Sequence, residues 1–209
     1  MDEVLEYIEN EYPGGGGFPS LVELDVYYCP NFNGLSREEG RELFPRLQKI
    51  CISNCPKLSL PHLSSPKELW LSGKCTMVLN SISNLNSLTS LTIGYDKETD
   101  CFPKEFLRNL TLIESLVIKY CEELKVLPED LASLGTLKSL EILRCPKLES
   151  LPKEGLRGLE SLQSLHINYC LKITSLPVLM KASARIEVVV ASEALLAGRF
   201  WAVHGFEVN

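Results

Sequence analysis

The sequence lacks the features that would place it in a membrane or a secretory pathway. No apolar run approaches the roughly 20 residues that a membrane-spanning helix needs. The first residues, MDEVLEYIENEY, are acidic and contain neither the apolar core nor the cleavage site of a signal peptide. We therefore expect a cytoplasmic protein with no membrane span.

Positive charge is also scarce. The formal net charge of the 209 residues is −6, and the acidic excess lies almost entirely before Phe18. A nucleic-acid binder needs a basic stripe whose binding releases counterions from the phosphates. The sequence shows no such stripe, so we expect no nucleic-acid partner.

Enzyme and nucleotide-binding motifs are missing as well. The three histidines stand apart, and the chain contains neither HExxH nor GxSxG. The glycines of PGGGG at 13–17 are not followed by the Lys-Ser or Lys-Thr of a phosphate-binding loop. We expect no catalytic residue, no cofactor and no metal site, and hence no enzyme.

What the sequence does contain is an internal repeat. The stretch at 137–152, LKSLEILRCPKLESLP, recurs at 162–177 as LQSLHINYCLKITSLP. Apolar residues alternate with variable ones before a shared cysteine, a period of two that is typical of a short strand with one buried face. So short a strand cannot bury its inner side alone, and each unit must stack on its neighbours.

Further copies of this unit run along the chain. They begin at Leu21, Leu47, Pro66, Leu88, Ile113, Leu137 and Leu162, with a weak eighth copy at Ser183. Spacings of about 19 to 26 residues are those of leucine-rich repeats. The sequence predicts an α/β fold, a leucine-rich-repeat solenoid or horseshoe. Short parallel strands would line its concave face, and short helical or 3₁₀ turns and loops its convex face.

The repeats divide the chain into three parts. Residues 1–17 form an acidic leader and Gly-rich linker that we expect to be flexible. Residues 18–191 form the repeat domain of about eight units. Residues 192–209 break the pattern and either cap the last repeat or form an irregular tail.

Three crossovers carry helix signals. Proline suits the first position of a helix, so Pro128 and Pro152 predict short helical or 3₁₀ turns after them. Ser36 and Glu39 form a capping box that predicts a helix from about residue 37 to residue 44.

Cysteine recurs at the ninth position of the units, where the chain turns inward after the strand. The residues are Cys29, Cys55, Cys121, Cys145 and Cys170. A thiol is a small, weakly hydrogen-bonding group that suits this place. We predict free buried thiols there rather than disulfides or a zinc site.

Tyrosine recurs at the eighth position, just before the cysteine. Strand alternation aims this position away from the core, which predicts a broken stripe along one edge of the concave face. Tyrosine, tryptophan and arginine are frequent interface hot spots. The candidate partner-binding residues are Tyr27, Tyr28, Trp70, Tyr95, Lys119, Tyr120, Arg144, His166 and Tyr169. The alternative, that each ring only covers its neighbour's backbone, stays open.

Acidic and basic residues alternate on the predicted concave face, for example Glu114 and Glu141 with Lys49 and Lys138. An extended surface of balanced charge favours a protein partner over a polyanion.

Three phrases carry a family resemblance: FPSLVELDVYYCPNF, FPRLQKICISNCPKLSLP and LKSLEILRCPKLESLP. They resemble the leucine-rich repeats of plant intracellular nucleotide-binding immune receptors of the coiled-coil class. The resemblance implies a role in the defense response. The partner would be a pathogen effector, a guarded host protein, or the receptor's own nucleotide-binding region, which the repeats restrain. The P-loop region of such receptors is absent here, so no nucleotide site is carried over.

Two other functions remain open. Leucine-rich repeats also serve as the substrate-recognition solenoid of ubiquitin ligases, although the segment before Phe18 is too short for an F-box. A non-signalling scaffold fragment is the third possibility.

Overall fold

A computed structural model describes residues 17–34, 43–174 and 187–191. Three expectations therefore lie outside the described residues: the leader at 1–16, the body of the helix predicted at 37–44, and the cap or tail at 192–209. Phe44, at the end of that predicted helix, lies in a turn that leads to the second strand.

The described residues form one parallel sheet of eight strands whose spatial order is the chain order. The strands are β1 (Glu23–Tyr27), β2 (Lys49–Ser53), β3 (Glu68–Ser72), β4 (Ser90–Gly94), β5 (Ser115–Lys119), β6 (Ser139–Leu143), β7 (Ser164–Asn168) and β8 (Glu187–Ala191). Each strand pairs with the strands of the units before and after it. This arrangement confirms the predicted leucine-rich-repeat solenoid.

Strands β1 to β7 each cover positions three to seven of their unit, and positions four and six of these strands face the core. In β6, Leu140 and Ile142 are fully buried, while Ser139, Glu141 and Leu143 are only partly covered. The paired residues of β5 and β7 repeat the pattern, so leucine and isoleucine stack in continuous rows. The alternation seen in the sequence is therefore the boundary between core and concave face.

The eighth unit is shifted relative to its expected alignment. A unit that starts at Ser183 places Arg185 opposite Ser164, but the structure pairs Ser164 with Glu187. The register of β8 is therefore shifted by two residues from the alignment expected from the sequence.

The convex crossovers contain short helical segments. A 3₁₀ helix at Glu129–Ser133 follows Pro128, and helix α2 at Lys153–Arg157 follows Pro152, as predicted. Helix α1 at Thr76–Ser81, extended by a 3₁₀ turn at Ile82–Asn84, was not predicted, because no proline or capping box marks its start. Its signal is the helical spacing of apolar residues, which are buried in the core.

Candidate functional site

Position eight lies just beyond the strand, and its backbone is left-handed in all seven units where it is described. The residues and their φ angles are Tyr28 (52°), Asn54 (53°), Gly73 (66°), Tyr95 (57°), Tyr120 (55°), Arg144 (54°) and Tyr169 (54°). This region suits glycine and asparagine, and bulky side chains adopt it at a cost of about 1 kcal/mol or more. The position-eight side chain therefore points outward because the backbone turns here, and not because of the strand alternation on which the sequence prediction relied.

A repeated hydrogen bond holds this turn. The backbone N–H at position eight donates to the position-seven carbonyl of the next unit, over distances of 2.7 to 3.0 Å in six consecutive units. The bond from Tyr120 to the Leu143 carbonyl is 2.8 Å, and the bond from Arg144 to the Asn168 carbonyl is 2.7 Å. The turn therefore continues the backbone hydrogen bonding of the parallel sheet by one residue, and it holds the position-eight side chains in register.

Trp70 and Tyr95 are bridged by a lysine. The Lys119 Nζ atom lies 4.4 Å from the centroid of the Trp70 ring and 5.9 Å from that of the Tyr95 ring. Trp70 is on β3 and Lys119 is on β5, so the lysine side chain crosses the intervening strand β4. An ammonium over an aromatic face is attracted by the ring quadrupole.

Gly94 makes this crossing possible. It pairs with Lys119 across β4 and β5, and a Cβ atom built on it would lie 2.9 Å from the Lys119 Cγ atom. A side chain at position 94 would therefore occupy the path of the lysine. A role for this glycine was not predicted from the sequence. Its signal was glycine at position seven, beside a lysine at the same position of the next unit.

The contacts continue through the next three units. The Tyr95 and Tyr120 rings stack with centroids 4.7 Å apart and planes 9° apart. The Arg144 Cζ atom lies 5.7 Å from the Tyr120 centroid and 4.5 Å from the Tyr169 centroid, so the guanidinium sits between two rings. Trp70, Tyr95, Lys119, Tyr120, Arg144 and Tyr169 thus form one continuous row, which we name the edge stripe.

The structure leaves three of the predicted site residues outside the edge stripe. Tyr28 has 75% of its surface exposed and is separated from Tyr95 by two units with small residues at position eight. Tyr27 lies at the start of the sheet, where burial and then the nearby Asp25 carboxylate raise its pKa. His166 lies in the central row of the concave face, opposite Glu141, with its Nε2 atom 3.2 Å from the Ser164 hydroxyl.

The edge stripe is accessible to a partner. Trp70 is 49% exposed, Tyr95 50% and Tyr120 38%, although all three rings make contacts within the row. Aromatic rings that are already stacked lose little conformational freedom on binding. The geometry therefore combines large apolar surfaces with little mobility.

Most surface lysines of the described residues are paired with carboxylates of a neighbouring unit. Examples are Lys138 with Glu114 at 2.9 Å and Lys147 with Glu123 at 2.6 Å. Within the residues that the structure describes, Lys119 and Arg144 have aromatic partners and no carboxylate partner. Exposed ion pairs contribute little to stability, but they neutralise charge locally. The cations of the edge stripe are not neutralised in this way.

Behind the edge stripe, position nine carries a row of thiols. Cys55, Cys121, Cys145 and Cys170 are buried and free as predicted, whereas Cys29 at the first strand is only partly buried. Each thiol donates to the position-seven carbonyl of its own unit, for example Cys145 to Leu143 at 3.6 Å. Together with Cys75, these cysteines form what we name the thiol ladder: Cys29, Cys55, Cys75, Cys121, Cys145 and Cys170.

Two units fill the ladder position differently. In the third unit, Cys75 arrives one residue late and donates to the Ser72 and Ile52 carbonyls, after the left-handed Gly73. The sequence analysis did not place this cysteine in the ladder. In the fourth unit, Asp96 is buried and accepts hydrogen bonds from the backbone N–H groups of Glu98 and Thr99 and from the Thr99 hydroxyl. The ladder thus requires a small group with hydrogen-bonding capacity, and not cysteine as such.

Thiol–thiol contacts and burial raise the pKa of two cysteines of the ladder, Cys145 and Cys170. A hydrogen bond with the neighbouring Cys121 thiol, together with burial, raises the pKa of Cys145 to about 12. The Cys145 thiol and burial likewise raise the pKa of Cys170. Among the described residues, no group of three or more His, Cys, Asp or Glu side chains is placed to hold a metal ion. The same residues include no helix long and apolar enough to cross a membrane.

Curated proteins of Solanum bulbocastanum are similar to this chain. The chain is 42% identical to the RGA1 protein over 129 residues, which cover 61% of this chain and 13% of RGA1. It is 41% identical to the RGA4 protein over 116 residues, which cover 53% of this chain and 12% of RGA4. It is 40% identical to disease resistance protein RGA2 over 133 residues, which cover 64% of this chain and 12% of RGA2.

No protein-family model matches the sequence. Among solved structures, the leucine-rich-repeat domain of the type III effector XopL aligns with 86% of this chain and 79% of its own, at 18% identity and a TM-score of 0.35.

The matched segments are about two-fifths identical to this chain and span about an eighth of each relative's own length. The chain is a leucine-rich-repeat region homologous to the RGA disease resistance proteins of Solanum bulbocastanum.

Proposed function

We propose that this chain is the protein-recognition part of a cytoplasmic plant immune receptor. Its repeats recognise a pathogen effector or a guarded host protein. In the resting state they contact the receptor's own nucleotide-binding region and restrain activation. The homology to disease resistance proteins supports this function over a role in a ubiquitin ligase or as a scaffold, because the matched relatives are named as disease resistance proteins.

The observation that carries the proposal is the exposed edge stripe. Four of its six members hold a bulky side chain in the left-handed region: Tyr95, Tyr120, Arg144 and Tyr169. Strained backbone persists where the surroundings impose it, and it is concentrated at functional sites. Here the strain places tyrosines and an arginine side by side on a rigid edge, and these residue types are enriched among interface hot spots.

The test replaces the matched segment of RGA2 with this chain and expresses the chimaera in leaves. The wild-type chimaera should remain silent without a pathogen. The Tyr120→Ala/Tyr169→Ala chimaera should cause cell death, because the restraining contact is weakened. The isolated double variant should keep its melting temperature within about two degrees of wild type, since both changes are at the surface.

Leu171→Ala is the matched control, because Leu171 is an exposed apolar residue of the same unit as Tyr169 and lies outside the edge stripe. It should leave the chimaera silent. If the double-variant chimaera also caused no cell death at the same protein level, this result would contradict the proposal. A large fall in its melting temperature would assign the tyrosines to packing instead.

A further inference from the structure

We propose that the edge stripe binds an extended acidic segment of a protein partner, with one carboxylate on Arg144 and a second on Lys119. This inference rests on the proposed function and specifies the chemistry of its partner. It is carried by the two cations that lie on aromatic rings without a carboxylate partner among the described residues.

Arg144 is prepared to receive a carboxylate. Tyr120 lies on one side of its guanidinium and Tyr169 on the other, with Cζ to centroid distances of 5.7 and 4.5 Å. A contact between a cation and the face of a ring uses no hydrogen bond, so the N–H groups of the guanidinium remain available as donors. These donors match the two oxygens of a carboxylate in a bidentate pair. Because the rings already hold the side chain, little freedom is lost when the pair forms.

The Lys119 side chain is also held in place before a partner binds, in its case by the path over Gly94 and by the Trp70 ring. Its stem lies over Gly94, and its Nζ atom lies 4.4 Å from the centroid of the Trp70 ring. A lysine in this position keeps its ammonium donors available beyond the ring face. An acidic side chain can therefore reach the ammonium while the adjoining residues of the partner contact Trp70 and Tyr95.

The spacing of the two cations suggests the form of the segment. Arg144 lies level with β6, and the Lys119 Nζ atom lies between β3 and β4. Two to three strand spacings correspond to roughly 10 to 14 Å. An extended peptide rises about 3.3 Å per residue, so carboxylates about four residues apart would lie on one face at a matching distance.

The charges around the edge stripe favour a short acidic segment over a polyanion. Lys49, Lys74 and Lys138, on the strands or turns of other units, are each paired with a glutamate. A nucleic acid or an anionic membrane gains affinity from many unpaired cations at once. Glu141, in the central row of β6, would also repel a densely charged ligand.

The test measures binding of a fluorescein-labelled peptide to the full chain by fluorescence polarisation at low ionic strength. The peptide carries two glutamates about four residues apart in a background of Ser, Thr and Val. Arg144→Asn and Lys119→Met should each weaken binding about tenfold, as expected for loss of a charge-assisted pair. Replacing both glutamates of the peptide with glutamine should have a similar or larger effect.

Matched variants separate this inference from general charge effects. Arg144→Asn keeps a residue that suits the left-handed backbone, because Asn54 occupies position eight of the second unit with the same backbone conformation. Lys138→Gln removes a cation that is already paired with Glu114 and should leave peptide binding unchanged. Glu141→Gln should tighten binding about twofold to threefold by removing a repelling charge.

Three outcomes would overturn the inference. The first is unchanged peptide binding in Arg144→Asn and Lys119→Met. The second is an equal loss of binding in Lys138→Gln. The third is tighter binding of a single-stranded RNA oligomer or of phosphatidylserine vesicles than of the peptide. If any of these occurs while the Tyr120→Ala/Tyr169→Ala chimaera still causes cell death, only the acidic segment is refuted. The proposed function then stands.

Discussion

The edge stripe and the thiol ladder are built from adjacent residues, yet their environments are opposite. Tyr120 has 38% of its surface exposed, and the next residue, Cys121, has 1%. The left-handed backbone at position eight separates them, because it directs one side chain outward and turns the following one into the core. One conformational feature thus supplies both an exposed edge and a buried row.

The two positions also differ in the residues they accept. Position nine holds cysteine or aspartate in six of the seven described units, each hydrogen-bonded to backbone groups, whereas the third unit has Lys74 there and fills the place with Cys75 one residue later. Position eight holds tyrosine, arginine, asparagine or glycine, since only the backbone angle restricts it. A solenoid can therefore change its exposed edge at position eight without disturbing the core one residue later.

The largest expected effect comes from a charge at position nine. Cys145 is fully buried, so Cys145→Asp should lower the free energy of unfolding by about 3 to 5 kcal/mol, because the carboxylate would lack the partners that Asp96 has: the residue three positions later is Leu148, which has no hydroxyl and whose N–H donates to the Cys145 carbonyl. Cys145→Asn should cost about 1 kcal/mol, since its amide can still donate to the Leu143 carbonyl. Urea denaturation followed by circular dichroism measures both values.

Arg144→Asp is the control that tests the comparison directly. It introduces the same charge one residue earlier, at an exposed position where aspartate tolerates the left-handed backbone. Its cost should stay below about 1 kcal/mol. Equal losses for Asp at 144 and at 145 would refute the assigned environments, as would rapid alkylation of the buried ladder thiols in the native state.

A smaller effect is expected from pH. The pKa of Cys145 rises from 9.0 to about 12 on folding, so the native protein keeps a proton that the unfolded chain loses. The resulting stability is present below pH 9 and is lost as the pH rises toward 12. Between pH 8 and pH 10 this thiol should remove about 1 kcal/mol of stability.

Cys145→Ser isolates this contribution, because a hydroxyl does not ionise in this range. The decline in unfolding free energy from pH 8 to pH 10 should be shallower in the serine variant than in the wild type. Tyrosine and lysine residues titrate in both proteins, so only the difference between the two slopes is informative. Parallel slopes would mean that the ladder thiol is not protected from ionisation.

The smallest effect is expected at position eight. Tyr120→Val places a β-branched side chain at a φ of 55° and should cost about 1 kcal/mol more than Tyr120→Asn. Tyr120→Asn loses the stacking on Tyr95 but gains a residue suited to this backbone, so it should be close to neutral. Thermal unfolding of the three proteins provides the measurement, and a valine variant as stable as the asparagine variant would argue against the left-handed turn.

Much of the fold could be predicted from the sequence because the same pattern of apolar residues occurs in each of the repeated units. The alternation around Leu140 and Ile142 predicts the strand and its buried face, and the cysteine spacing predicts the ladder of position nine. The edge stripe was predicted as a set of residues. Its contacts were not, because the path of Lys119 over Gly94 to Trp70 depends on three different strands.

Two features of the structure, helix α1 and the placement of Cys75, could not be predicted from the local sequence. Helix α1 has no proline or capping box and forms because Val78, Leu79 and Ile82 are buried against the leucine rows. Cys75 enters the thiol ladder one residue late, which the spacing of the other units does not predict. In both cases packing against neighbouring units decided the local conformation.

The sequence by itself determined the repeat, its period and the division of each unit into buried and exposed positions, because hydrophobic alternation is a local property of the chain. Only the tertiary structure decided that position eight is left-handed and that residues from five successive units combine into one stripe. The physical reason is that this turn is held by a hydrogen bond to the next unit's carbonyl, and the stripe by contacts between rings and cations that become neighbours only when the units stack.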